Sequence, residues 1–250
     1  MKENTTSNEE CLLLLTGTIQ PNTQQTVKLI DGNERRKQYI DAIDFYLQKT
    51  NFKLLFVENS GNDISDRFQG YESRIEFLTY VSQPTVPDRG KGYKEMEILN
   101  YAMNSSKFIN DINYIIKITG RLKILNINYL LQHNDRLFKT AVVSNIYKLG
   151  KMDSRFFLFN KKFWPYLKDK GERIDINYSF EQALWLATKI YCVESEKKLY
   201  RQFSSPLLVK GTSGSFDTPY YRGFLLELIK KIRHRLNYRK NMNLFYNQEH

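Results

Sequence analysis

The sequence predicts an α/β fold with a mainly parallel central sheet flanked by helices. Three observations predict it. Short apolar runs of strand length recur at residues 11–15, 52–57 and 113–118, and stretches of helical spacing separate them. Each of these strands ends in a polar turn, at Thr16-Gly17-Thr18, Glu58-Asn59-Ser60 and Thr119-Gly120-Arg121. The alternation of strand, helix and strand runs through most of the chain, which is the pattern of a sheet covered by crossover helices.

The elements follow in order. Residues 11–15 read as a buried strand, and residues 16–21 as its exit loop. Residues 35–50 have helical spacing, with Tyr39, Ile40, Ile43, Phe45 and Leu47 on the apolar side. Residues 52–57 form a second strand, and residues 67–80 a mixed stretch holding a short helix and another strand. Residues 84–92 are loop, rich in Pro and Gly. A helix over 92–105 carries Met96, Leu99, Ala102 and Met103 at helical spacing. After the strand at 113–121 come a short helix within 124–135, a short strand at 141–144, a strand or its exit at 152–159 and a helix over 161–169. Residues 178–191 form a further helix, with Phe180, Ala183, Leu184, Ala187 and Ile190 on one face. A short strand at 206–209 precedes a Gly, Ser and Thr loop over 210–220. The expected division is a polar leader at 1–10, one catalytic domain over 11–221, and a basic helix with its tail over 222–250.

The composition bounds the function. The 250 residues are 41% hydrophobic and 14% aromatic, which gives a sizeable core and excludes a disordered chain. The net charge of +11 points to an anionic partner: nucleic acid, a phosphorylated small molecule or an acidic membrane surface. Cys11 and Cys192 form no metal-ligand pattern and read as free thiols of a reducing compartment. The leader lacks the basic region and apolar run of a signal peptide. The four leucines at 12–15 fall far short of the ~20 residues that span a bilayer. A cytoplasmic protein is expected, with any membrane contact made from the surface.

The groups that carry chemistry cluster at strand exits. The strand at 113–121 delivers Lys117, Thr119 and Arg121 around Gly120, two cations and a hydroxyl suited to a phosphate or diphosphate beyond the sheet edge. If the three strands are neighbours, Thr16, Gly17, Thr18, Glu58, Asn59 and Ser60 line the same crevice. No Gly-x-Gly-x-x-Gly fingerprint and no P-loop follow the first strand. His133, His234 and His250 are scattered, with no zinc pattern and no nucleophile elbow. Two carboxylates stand out. Asp153, in Asp153-Ser154-Arg155, is either the ion-pair partner of Arg155 or a general base. Glu181 is either a helix-dipole partner or that base. Lys210, Gly211, Ser213 and Gly214 make either an anion-binding nest or a flexible connector. Residues 222–240 combine an apolar stripe with a dense basic face. This helix either lies on an anionic membrane or docks on the core.

The chain resembles bacterial GT-A-like glycosyltransferases encoded in capsule, O-antigen and lipooligosaccharide clusters. The resembling pieces are Leu14-Leu15-Thr16-Gly17-Thr18, Phe56-Val57-Glu58-Asn59-Ser60-Gly61, Gly90-Lys91-Gly92-Tyr93-Lys94-Glu95, Lys117-Ile118-Thr119-Gly120-Arg121, Asp153-Ser154-Arg155-Phe156-Phe157 and Tyr178-Ser179-Phe180-Glu181. The resemblance implies a nucleotide-sugar donor over the carboxyl edge of the sheet. It sets the nucleoside against the first two strand exits, with Gly92 near it. It also implies a hydroxyl acceptor on a surface glycan, lipid-linked, and a location at the inner face of the cell membrane. One departure stands out: the usual Asp-x-Asp pair is replaced by Thr119-Gly120-Arg121. No metal cofactor is therefore required, and Lys117 and Arg121 neutralise the diphosphate instead. The rivals are a sugar-phosphate nucleotidyltransferase and a basic nucleic-acid-binding protein; no nucleic acid is expected, since no such motif is present.

Overall fold

The computed structural model describes residues 11–21, 31–132, 137–212 and 224–247. Its centre is a seven-stranded sheet. The strands in chain order are β1 (Cys11–Gly17), β2 (Lys53–Glu58), β3 (Ile75–Thr79), β4 (Tyr114–Thr119), β5 (Lys123–Ile124), β6 (Val142–Val143), β7 (Ile146–Lys148), β8 (Lys151–Met152), β9 (Phe156–Asn160), β10 (Tyr200–Arg201) and β11 (Val209–Lys210). The main sheet runs β10-β6-β9-β4-β1-β2-β3. Only β9 runs against the others, pairing antiparallel with β4 and β6. This is the mostly parallel, helix-flanked architecture expected from the sequence.

Among the described residues six α-helices flank it: α1 (Gly32–Lys49), α2 (Gly90–Ser105), α3 (Ile127–Gln132), α4 (Trp164–Gly171), α5 (Phe180–Glu194) and α6 (Phe224–Asn247). The apolar run of β1 follows from its central place. Leu13 and Leu15 pack with Tyr39, Ala42, Ile43 and Tyr46 of α1 on one face. Leu12 and Leu14 pack with Leu99 and Ala102 of α2 and Leu184 of α5 on the other. A strand covered on both faces has no polar side to display. Asp31 caps α1, its Oδ1 accepting from Asn33 N at 2.8 Å.

Register brings the strand exits level. Thr16 lies opposite Thr119, and Gly17 lies opposite Glu58. Since β2, β1 and β4 are neighbours, the three polar exits share one edge of the sheet.

The elements depart from the sequence reading in four places. α2 begins at Gly90, inside the expected loop. The expected strand at 152–159 is two strands, β8 and β9, with Asp153, Ser154 and Arg155 in the turn between them. The expected strand at 206–209 shrinks to β11, which pairs with β5 instead of joining the main sheet. Strands β5 and β10 and the hairpin partner β7 were not expected; two or three residues carry too little periodicity to announce a strand. α6 is held at its C-terminal end, where Phe245 is buried and Lys189 Nζ donates to its carbonyl. No helix among the described residues is long and apolar enough to cross a membrane.

Candidate active site

The first rim of the site is built around Glu58, which is fully buried at the end of β2. Its carboxylate accepts from Ile19 N at 2.8 Å, Ser60 N at 2.9 Å and Asn62 N at 2.8 Å, and from the Ser60 hydroxyl. Four donors satisfy a buried carboxylate that would otherwise be costly. The β1 exit is pinned to this hub. Thr18 N donates to Tyr39 Oη at 2.9 Å, Thr18 Oγ1 to Asn59 Oδ1 at 2.7 Å, and Gln20 N to Ser60 Oγ at 2.9 Å. Arg35 Nε adds a bond to Thr18 O at 2.7 Å. Thr18, Ile19 and Gln20 thus spend three successive backbone N–H groups on the protein itself. A phosphate-binding loop keeps such groups for its ligand.

The second rim is the exit of β4. Gly120 N donates to Thr16 O at 2.9 Å, and a Cβ on Gly120 would lie 2.6 Å from that same oxygen. Glycine is required for this close approach of two strand exits. Lys117 is fully buried, and its ammonium is enclosed by Glu95 Oε1, Ser154 O at 2.6 Å and Thr119 Oγ1 at 3.2 Å. It lies beneath the rim rather than on it. Thr16 Oγ1 completes the group with a 3.2 Å bond to Glu95 Oε1. Arg121 is half-buried beyond this cluster. Tyr46 holds the chain that follows it, its hydroxyl donating to Leu122 O at 2.7 Å and accepting from Ile124 N at 3.0 Å.

The β11 segment arrives beside this exit. Lys210 pairs with Lys123 across the β5–β11 ladder. Gly211 has φ +135°, and a Cβ there would lie 3.3 Å from Arg121 O. Lys210 is exposed. The structure therefore brings Lys210 and Gly211 of the candidate anion loop to Arg121; Ser213 and Gly214 lie outside the described residues.

The carboxylates sit on the far side of Lys117. Asp153 is chelated by Arg155, with Nε on Oδ1 at 2.8 Å and Nη2 on Oδ2 at 2.6 Å. Arg155 N adds a 3.1 Å bond to Oδ1. Glu181, in the first turn of α5, accepts from Ser154 Oγ through Oε1 at 2.7 Å. Its Oε2 has no hydrogen bond among the described residues, and the side chain is partly exposed. Gly92 lies within α2, where a Cβ would come 3.3 Å from Ile174 and 3.4 Å from Phe180 N. Its place is the tight contact of α2 with α5.

Glu95 and Ser154 belong to this site and were not singled out as site residues from sequence, whereas the Asp153–Arg155 ion pair expected there is present. Glu95 lies 22 positions from Lys117; nothing local pairs them, and only the packing of α2 over the sheet brings them together. The residues at the β4 exit do not fit a divalent cation. Thr119 and Arg121 supply no carboxylate, and the buried Lys117 ammonium already engages Glu95 beneath them. Among the described residues no group of three or more His, Cys, Asp or Glu side chains is arranged to hold a metal ion.

No protein-family model matches the sequence, and no curated protein matches it. Three solved structures illustrate its likeness in shape. One is a protein provisionally named a nucleotide-diphospho-sugar transferase, from Desulfovibrio desulfuricans G20 (11% identity, 78% of this chain and 79% of that one, TM-score 0.47). The second is the galactosyltransferase LgtC with donor and acceptor sugar analogues (11%, 69% and 69%, 0.43). The third is core-mannan synthase A from Aspergillus fumigatus in a form with manganese and GDP (10%, 95% and 86%, 0.46). At such identities and scores these likenesses carry no argument about chemistry, which rests on the geometry above.

Proposed function

We propose that the protein transfers a sugar from a nucleotide-sugar donor to an acceptor hydroxyl. The observation that carries this reading is the order of groups along one sheet edge. The polar rim of β2 and β1 comes first, then the cations Arg121 and Lys210 at the β4 exit, then Glu181 beyond β9. That order matches a donor laid as nucleoside, diphosphate and sugar, with the acceptor at the sugar end. Open α/β sheets bind ligands at this edge.

The residues then divide the work. Arg121 and Lys210 face the diphosphate and stabilise the negative charge that develops as the bond from the sugar's anomeric carbon to the phosphate oxygen breaks. Lys117 holds Glu95, Thr119 and the Ser154 carbonyl in register. Glu181 takes the proton of the acceptor hydroxyl as that oxygen bonds to the anomeric carbon. Asp153 positions Arg155, since both its oxygens are already engaged. No metal step is needed in this scheme. The finer reading makes the acceptor a hydroxyl of a surface glycan, carried on a lipid.

The pinned β1 exit disfavours nucleotidyl transfer, because its backbone N–H groups are not available to a triphosphate. The test is thermal unfolding with a panel of nucleosides, nucleoside diphosphates and nucleotide sugars, in chelator. A ligand at ~100 times its dissociation constant stabilises by ~2.7 kcal/mol. Nucleotide sugars and diphosphates should stabilise and nucleosides far less, with the difference lost in Arg121→Ala. No stabilisation by any nucleotide sugar would refute the reading.

A further inference from the structure

Helix α6 turns its apolar side to solvent and its polar side to the protein. Leu228, Ile229, Ile232 and Leu236 are 44%, 53%, 54% and 75% exposed, and their spacing gathers them on one stripe. Glu227, His234, Tyr238, Asn241 and Phe245 form the nearly opposite stripe, by the 3.6-residue period of the helix. This second stripe meets the protein. Glu227 and Phe245 are buried. His234 Nε2 lies 2.9 Å from Phe203 O. Gln202 Nε2 donates to Tyr238 O at 3.2 Å, and Asn241 Nδ2 donates to Gln202 Oε1 at 3.4 Å.

Cations border the exposed stripe on both sides. Lys231, Arg235 and Arg239 repeat along one margin, and Arg233 and Lys240 lie on the other; all five are exposed. The helix has one acid, Glu227, and it is buried and accepts from Lys230 Nζ at 2.6 Å. An apolar stripe bordered by cations with no exposed acid suits the boundary between phosphate headgroups and acyl chains.

We propose that the outer stripe of α6 docks the protein on an anionic lipid surface, with the aliphatic side chains below the phosphates and the flanking cations among them. Charge decides between this occupant and a second copy of the chain. Two such stripes packed together would set cations against cations with no exposed acid between them, whereas anionic phosphates complement both margins. The docking also orients the site. Gln202 Oε1 accepts from Ile146 N at 3.2 Å, so the residue that holds α6 also holds the β7–β8 hairpin, whose last residue precedes Asp153. Tyr147 and Leu149 of that hairpin are exposed. In this proposal the hairpin that leads into the Asp153 turn is linked through Gln202 to the helix that meets the lipid. This last step rests on the proposed glycosyl transfer and names its acceptor class, a hydroxyl carried at a lipid surface; the docking itself stands apart from the donor chemistry.

The experiment is co-sedimentation of the full chain with vesicles of phosphatidylcholine, alone or mixed with phosphatidylglycerol, at low and high salt. The expected result is binding to the mixed vesicles that weakens with salt, and little binding to the neutral ones. The double variant Arg235→Gln, Arg239→Gln should lower the partition coefficient on the order of 30-fold, from about 1 kcal/mol per cation. Ile232→Gln, Leu236→Gln should also lose binding, with an unchanged thermal midpoint. Absence of binding at low salt, or equal binding to neutral vesicles, overturns the proposal. So does a lowered midpoint in the stripe variant, which would return the stripe to the core. A dimer seen by light scattering and abolished by the stripe variant would hand the surface to a second copy. Because donor binding is read separately by thermal unfolding, failure here leaves the donor chemistry standing.

Discussion

Asp153 and Glu181 differ in what their oxygens already hold. Both oxygens of Asp153 are engaged by Arg155, while Glu181 keeps Oε2 without a hydrogen bond among the described residues. Glu181→Gln should therefore lower turnover by roughly 10²–10⁴-fold while donor binding is kept, the loss typical of a removed general base. Normal turnover in a folded Glu181→Gln protein would remove the assignment. Lys117 carries a different expectation. Removing its ammonium leaves Glu95 with the Thr16 hydroxyl but without its opposite charge, so Lys117→Ala should cost about 3 kcal/mol in denaturant unfolding, at the low end for a broken buried pair. Glu95 keeps some contact with solvent, which is why the low end applies. Unchanged stability with lost turnover would instead make Lys117 a ligand contact. From sequence, Lys117, Asp153 and Glu181 are legible as charged groups at a strand exit, a turn and a helix start. The Arg155 partner of Asp153 is legible as well, two residues along the same turn; the partners of the other two are not, since Glu95 and Ser154 reach Lys117 and Glu181 through folds of the chain that no local spacing records.

The exits of β1, β2 and β4 act together because register sets them level and Glu58 ties two of them. Gly120→Ala would drive a methyl to within 2.6 Å of Thr16 O and part these exits. The expected cost is about 1–3 kcal/mol, as for other overpacked sites, with weaker diphosphate binding in the same variant. Wild-type stability and diphosphate affinity in Gly120→Ala would show that the close approach is dispensable. α6 offers a pH test. Burial lowers the affinity of the His234 imidazole for a proton, and the Phe203 carbonyl only partly opposes this. The unfolded chain then binds a proton that the folded chain refuses, so stability falls as pH drops below about 6.5. The stability difference between wild type and His234→Gln should narrow over that window; parallel curves would exclude His234 as the cause. The strands β1, β2 and β4 are visible in the sequence because double coverage makes them apolar throughout. β5, β6, β10 and β11 hold two residues each. The short apolar run at 141–144 announces β6 and the run at 206–209 reaches into β11, whereas β5 and β10 are defined by pairing alone and nothing in their two residues announces them.

At the scale of the whole molecule the net charge of +11 narrows to particular places. Arg121 follows the β4 exit, Lys210 lies opposite Lys123 in the small β5–β11 sheet, and the exposed cations of α6 border an apolar stripe. Amphipathicity of α6 is plain in the sequence, but which side faces the protein is not. That depends on Gln202, Phe203 and Tyr200, which meet the helix only in the folded chain. The central claim is the bond that breaks, and it is tested by incubating the full chain with a panel of nucleotide sugars in EDTA and resolving the nucleotide products. Glycosyl transfer predicts nucleoside diphosphate released from at least one donor, with release lost in Glu181→Gln. Nucleoside monophosphate as the product, or no cleavage of any donor, would contradict it.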